Sequence, residues 1–312
     1  MLRSVAFTVF LATFLAVPRC AAGADAAGAI TILEGEAFVY RGAGRVGALE
    51  GVRLMLGDIV ETGGSSFAQI ELSDRLVLQL GPATRAMLNA SARPQPERWV
   101  YVIVGWGKVS GIQRDSRGGP GYAIRTPLFE IPPTAGVVVF KIGPAEANLY
   151  VERGEASVVE RRTLGPAAPV RLKVDQYYRR KSGEPGAVVP RAAQAAAMQA
   201  FVDEMPRAFH DSLPSRIDQF RQREVRPPPA PDFAYADVEP WLKAEPPVRR
   251  EFVQRWRARI EDRAFRAALV ANLFAHPEWD PMLFPEKYLP NEYLQYDPVP
   301  AGSAVLPRSR KK

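Results

Sequence analysis

Three things are scarce in these 312 residues: cysteine, histidine and long apolar runs. The single cysteine, Cys20, lies inside the first 24 residues, and only His210 and His276 carry imidazole. A chain cut after Ala24 has no thiol at all, which excludes disulfides, cysteine nucleophiles and thiolate metal sites together. Two histidines far apart in sequence leave little room for imidazole-based metal or acid–base centres. The longest apolar run, Val5–Val17, would span only about 20 Å as a helix, too short for a bilayer core of about 30 Å. With Arg3 before it and Ala22-Gly23-Ala24 after it, the run has the layout of a cleaved secretory signal. Arg19, directly before Cys20, is too large for a lipid-attachment site. Cleavage implies a periplasmic, disulfide-free protein that rests on an ordinary hydrophobic core, and the 47% apolar composition can supply one. Losing Arg3 and Arg19 takes the formal charge from +7 to +5. That excess favours anionic envelope surfaces and, outside the cytoplasm, gives no reason to expect nucleic acid.

What is present begins with period-two alternation. From Ile30 to Tyr178 short alternating runs are separated by Gly, Pro, Asp and Asn. Strands are expected at Ile30–Tyr40, Arg53–Glu61, Phe67–Leu72, Leu76–Leu80, Arg85–Asn89 and Trp99–Ile112. A glycine-rich loop, Arg117–Gly121, follows, then strands at Tyr122–Arg125, Val137–Ile142, Asn148–Val151, Glu155–Glu160 and Val170–Tyr178. No helical pattern of ten residues separates them, so a sandwich or roll is expected rather than a parallel sheet. The Gly/Pro-rich stretch 181–189 is read as a linker. Beyond it the period changes. Ala192–Met205 is a helix by propensity, Arg216–Arg223 a short one, and Val225–Asp232 a polyproline segment. In 238–276, Phe252, Trp256 and Ile260, then Phe265, Leu269 and Leu273, recur at helical spacing, with Asp262 as N-cap between them. This reads as a helical hairpin. A proline- and aromatic-rich stretch wraps over the domain after it, and residues 299–312 form a disordered basic tail. The fold class is α+β: an all-β domain over 30–180, then a mainly α-helical domain or cap over 190–298.

Gly35-Glu36-Ala37-Phe38-Val39-Tyr40-Arg41-Gly42 is similar to the opening G-x-A-x-V-x-R strand of the FecR-family periplasmic domain. Gly51, Leu54, Gly57, Asp58, Val60, Thr62 and Gly63 fit that family's G-x-x-L-x-x-G-D-x-V-x-T-G core, and Ala68, Ile70, Leu72 and Asp74 its A-x-L-x-L-x-D. Ile124-Arg125-Thr126-Pro127, Gly136, Val151, Gly154 and Val158 resemble its later segment. The resemblance covers about half of the mature chain and implies a β-sandwich that binds rather than catalyses. It departs at Asp74-Arg75, where the family has Asp-Gly, at Val137, and at Asp175-Gln176. A FecR regulator reaches a sigma factor through a cytoplasmic segment. Only four residues precede the apolar run here, so no direct sigma-factor contact is expected.

No residue set reads as catalytic, and no cofactor or metal is expected. His276-Pro277-Glu278-Trp279-Asp280 offers three potential ligands, yet suits a helix-terminating turn. His210-Asp211-Ser212 carries triad letters in one turn, where nucleophile, base and orienter cannot line up. Asp58 fits an Asx turn. Gly118, Gly119 and Gly121 lack the lysine and the strand–helix context of a phosphate loop. Two partner-binding candidates remain. Trp99 and Tyr101 share a strand face, with Trp106 further on, as either core or an aromatic platform for glycan. Arg255, Arg259, Arg263 and Arg266 belong to a basic run on the helical hairpin, either a solvated face or a site for an anionic partner. The expected function is non-enzymatic binding of an envelope protein or polysaccharide, in sensing or scaffolding. A peptidoglycan hydrolase acting through Glu278 and Asp280 is the alternative.

Overall fold

A computed structural model describes residues 26–288 except 74–75, 91–96, 112–120, 135, 163–164, 166 and 212–213. The signal segment, the Asp74-Arg75 turn, most of the glycine-rich loop, Ser212 and the basic tail lie outside the described residues.

Seventeen strands form in chain order: β1 (Gly28–Glu34), β2 (Ala37–Arg41), β3 (Gly44–Gly47), β4 (Arg53–Leu54), β5 (Ile59–Thr62), β6 (Phe67–Leu72), β7 (Leu76–Leu80), β8 (Arg85–Ala90), β9 (Arg98–Gly111), β10 (Tyr122–Arg125), β11 (Phe129–Ile131), β12 (Val137–Ile142), β13 (Glu146–Arg153), β14 (Glu155–Glu160), β15 (Val170–Lys173), β16 (Tyr177–Lys181) and β17 (Ala187–Val188). They pair as two layers. Sheet I runs β4-β1-β6-β7-β9-β12-β13-β16-β17, antiparallel throughout. Sheet II runs β3-β2-β5-β8-β9-β10-β11-β14-β15, with β9–β10 its one parallel pair. Several expected strands divide at turns. Ile30–Tyr40 breaks at Gly35, Arg53–Glu61 at Gly57, and Val170–Tyr178 at Asp175, each with positive φ. The expected linker 181–189 contains β17 and belongs to sheet I.

β9 belongs to both sheets. Its residues 98–104 pair with β8, and 105–110 pair with β12. Val100 and Val102 face the inter-sheet core while Trp99, Tyr101 and Ile103 face outward; beyond Gly105, Val109 points in and Trp106 and Lys108 point out. The inversion follows from a register shift opposite Arg85 and Ala86 and from Gly105 at φ +108°. A Cβ there would sit 2.4 Å from the Thr84 backbone. Two residues on, Gly107 leaves room for the inward Phe140 ring.

The motif residues shape turns. The Arg41 guanidinium donates to both Asp58 carboxylate oxygens at 2.6–3.2 Å, and Asp58 accepts the Met55 N–H at 2.9 Å. Thr62 Oγ1 donates to the Gly81 carbonyl at 2.6 Å and accepts the Thr84 N–H at 2.9 Å. Opening strand and core motif, apart in sequence, are therefore one hydrogen-bonded unit.

The 190–288 region forms two caps, one on each outer face. On sheet I lies α1 (Arg191–Glu204), whose Phe201 packs on Trp106 (5.0 Å) and Tyr177 (5.4 Å); Phe209 then covers Phe67. α2 (Ile217–Phe220) leads to the proline segment, which lies along the sandwich edge. The Gly47 N–H donates to the Pro228 carbonyl at 2.9 Å, and bridges join Val46 to Pro229 and Val52 to Val225. On sheet II lie α3 (Tyr235–Leu242), α4 (Pro246–Arg255), α5 (Arg263–Ala271) and α6 (Asp280–Leu283). Their Trp241, Phe252, Trp256, Phe265, Leu269 and Trp279 form one core with Tyr40, Ile59, Met87 and Tyr101. Asp262 caps α5 by accepting the Ala264 and Phe265 N–H groups at 2.8 and 3.2 Å. No helix among the described residues is long and apolar enough to cross a membrane.

Candidate functional site

Of the two readings open for each partner-binding set, neither exposed surface forms as a continuous patch among the described residues. Tyr101 is 1% exposed beneath Trp241, with ring centres 6.3 Å apart. Trp99 lies beside it, half-buried, with the Arg125 guanidinium 4.2 Å above its ring. Trp106 is on the opposite side of the molecule, under α1, because β9 changes sheets between them. An exposed aromatic platform is thus replaced by core packing beneath two caps. The physical reason is that a sandwich with apolar residues on its outer faces must cover them.

The arginine set is also mostly internal. Arg255 donates to the carbonyls of Tyr40 (2.7 Å), Gly42 (3.0 Å) and Gly57 (2.5 Å), locking α4 onto two turns of sheet II; its burial pulls its pKa down. Arg259 lies 4.2 Å over the Phe233 ring, bonded to the Asp232 carboxylate and the Phe233 carbonyl. Arg266 donates to the Leu283 carbonyl at 2.7 Å. Of the four, Arg263 alone is exposed.

The His276–Asp280 stretch points its groups in different directions. His276 is fully buried, with Nε2 3.1 Å from the Tyr235 hydroxyl. Glu278 accepts from Arg249 at 2.9 Å, with Arg250 at 3.8 Å. Burial alone would raise the Glu278 carboxyl, but the Arg249 bond, a backbone N–H and the charges of Arg249 and Arg250 together hold it below the usual carboxylate value. Asp280 accepts from the Tyr288 hydroxyl at 2.6 Å and Lys287 at 2.9 Å, which lower it too. The described residues contain no group of three His, Cys, Asp or Glu able to hold a metal.

Among the concave sites of the described residues, one joins sheet II to its cap and includes a candidate residue, Tyr101. A cleft of about 440 Å³ opens between sheet II and the α3–α4 turn. Its floor is Tyr101, Ile103 and Val104 of β9. Pro127, in the β10–β11 turn, and Gly143-Pro144, in the β12–β13 hairpin, form the sandwich side. Pro240, Lys243, Ala244 and Glu245 form the cap side. Each wall is rigid for a local reason. Thr126 Oγ1 accepts the Leu128 and Phe129 N–H groups, closing the Pro127 turn. Gly143 N–H donates to the Glu146 carbonyl at 2.8 Å. Arg161 donates to the Thr126 carbonyl (2.9 Å) and to Glu245 (2.5 Å), tying the two sides together. Burial pushes the Tyr101 hydroxyl well above its ordinary pKa, and Glu245 beside it adds to the rise. The phenol is therefore neutral, and the cleft offers apolar walls with one cation–carboxylate pair. Its volume lies in the range of small-ligand and side-chain pockets.

Of this cleft, sequence singled out Tyr101 as a binding candidate and Pro127 as part of a motif, and it placed Ile103 and Val104 on a strand. Gly143, Pro144, Pro240, Lys243, Ala244 and Glu245 come from a hairpin and the α3–α4 turn that no motif marks.

No family model and no curated protein matches the sequence. Among solved structures, two crystal structures of a proposed anti-sigma factor from Parabacteroides distasonis are similar in part. Identity is 16% and the TM-score 0.35 in both, over 45% of this chain and 63% or 64% of the other. This chain thus spans less than two thirds of that protein's length in the match.

Proposed function

We propose that this chain is a non-catalytic, exported binding protein of the cell envelope, regulatory or scaffolding in role, and that its partner docks at the cleft between sheet II and the α3–α4 turn. The observation that carries this reading is the cleft itself: apolar, braced on both sides, and bordered by a charged pair that can orient a ligand without reacting with it. The FecR-like motif residues support it from another direction, because Arg41, Asp58 and Thr62 are spent on turns that stiffen the sandwich. The partner is an envelope protein or polysaccharide. Neither nucleic acid nor direct sigma-factor contact belongs to the reading.

The test is site-specific photo-crosslinking in intact envelopes. A crosslinker replacing Lys243, at the cleft, should capture one discrete partner in the exported fraction, and the same group at exposed Arg221 should not. Equal capture at both positions, or a product confined to the cytoplasm with its first 24 residues intact, would overturn the proposal. So would turnover of purified sacculi that is abolished by Glu278→Ala or Asp280→Ala, which is the outcome the hydrolase alternative requires.

A further inference from the structure

Beneath the sheet II cap, His276 is 0% exposed and has a hydrogen-bond partner on one side of its ring only. Nε2 meets the Tyr235 hydroxyl of α3 at 3.1 Å, while Nδ1 has no partner among the described residues. The charged groups acting on it come from three elements. Lys243 follows α3 and Arg249 lies on α4, both positive. Glu278, in the turn that carries His276, is the one carboxylate, and it is committed to Arg249 with Arg250 nearby. The ring is flanked by aromatic residues, with Tyr235 at 5.9 Å and Tyr235 in turn against Phe265 of α5. The neutral imidazole fits this place. The imidazolium does not: its second buried N–H would have only its own residue's backbone to face, and its charge would sit beside two cations.

The same cap core contains further donors without partners. The indole N–H groups of Trp241, Trp256 and Trp279 are buried and have none among the described residues. Such groups each weaken the packed state relative to one open to water. Their rings nonetheless hold α3 to α6 on sheet II through contacts such as the Phe252–Trp256 stack at 4.4 Å.

We propose that His276 is a proton-operated latch: protonating its imidazole releases the α3–α6 cap from the outer face of sheet II. α3 carries both Tyr235, against the latch, and Pro240, in the cleft wall, so release would also open the cleft. The latch goes beyond the binding role and does not depend on what the cleft holds. Burial above all, with Lys243 and Arg249, depresses the basicity of His276 against the opposing pull of its own backbone and of Glu278, which agrees with this geometry.

Hydrogen exchange on the whole protein at pH 7.5 and pH 5.0, corrected for intrinsic rates, tests the latch without any ligand. The expected result is a loss of protection of roughly tenfold or more for amides of 235–283, with β6, β7 and β12 unchanged. His276→Gln, which cannot take up the proton, should abolish the difference. An unchanged wild-type cap at pH 5.0, or the same acid response in His276→Gln, would overturn the proposal. If that variant does not fold, NMR of the two histidines in the wild type decides, with exposed His210 as reference. The His276 ring must titrate together with cap opening; protonation with the cap closed, or opening with the ring neutral, would sink the latch.

Discussion

The two outer faces of this sandwich are covered in contrasting ways. Sheet II is covered by aromatic packing, with Trp241, Phe252, Trp256, Phe265 and Trp279, from α3 to α5 and the turns that follow them, meeting Tyr40 and Tyr101. Sheet I has α1 over its Trp106–Tyr177 end, but elsewhere its outer face is a buried polar ladder. Glu71 accepts the Arg216 N–H at 2.7 Å and the Ser215 hydroxyl, and Gln79 donates to Gln69 at 3.0 Å. Lys108 donates to the Phe209 carbonyl at 2.6 Å and pairs with Glu152 at 2.8 Å. One cap is held by area removed from water, which is non-directional, and the other by directional bonds to a few backbone atoms. Both cap contacts leave clefts, but the one on sheet II is walled by side chains of its aromatic cap, whereas the one on sheet I lies between α1 and the β16–β17 edge.

If this contrast is right, the largest losses should come from sheet II. Trp256→Ala removes the ring stacked on Phe252 and should cost about 4 kcal/mol in denaturant unfolding. A loss below about 1 kcal/mol would mean the aromatic core is not what holds that cap. Gly105→Ala tests the strand that both faces share. Positive φ and collision with Thr84 should destabilise the whole molecule by about 3 kcal/mol, with both caps lost in one transition. Separate transitions by tryptophan fluorescence and circular dichroism would separate the faces. Lys108→Met leaves the Phe209 carbonyl and Glu152 without their cation and should cost about 2 kcal/mol. Limited proteolysis should then cut near Phe209 first and leave 235–283 intact.

Acid should also part the two faces. His276 has a depressed pKa in the fold, so the unfolded chain binds its proton first, and stability falls as pH drops below the ordinary histidine value of 6.5. For Glu71, burial opposes ionisation, but the Arg216 N–H and the Ser215 hydroxyl bonds outweigh it, and its pKa ends below the ordinary 4.5. Its contribution is present above that value and is lost as pH falls through the lower, folded one. Exchange should thus appear in sheet II's cap at mildly acid pH and at the sheet I ladder only below about 4.5. Simultaneous opening would erase the distinction. The smallest effect is expected for exposed Arg263→Ala, within about 0.5 kcal/mol.

Much of this architecture was legible in local pattern. Alternation at Phe67–Leu72, Leu76–Leu80, Tyr122–Arg125 and Val137–Ile142 located those strands to the residue, because inward and outward side chains must alternate on a pleated sheet. Helical spacing of Phe252 with Trp256 and of Phe265 with Leu269 marked the buried faces of α4 and α5, and Asp262 their boundary. Where pattern misled, a long-range contact was the cause. The arginines looked like a basic face in one dimension, yet Arg255 reaches carbonyls some 200 residues away in sequence. Trp99, Tyr101 and Trp106 looked like neighbours, but the inversion at Gly105 sends Trp106 to the opposite face.

The order of residues by itself determined where most of the strands and helices lie and the inward faces of the most regular of them, since these follow from steric limits and periodicity within a few residues. Tertiary structure alone decided that the helical half divides into two caps, that Tyr101 and Trp106 are interior and Arg255, Arg259 and Arg266 are tied to backbone carbonyls, and that Pro127, Pro144, Pro240 and Glu245 surround one cleft. Those outcomes depend on which surfaces meet once apolar faces are driven out of water. That driving force has no direction along the chain, so no local pattern can encode its result.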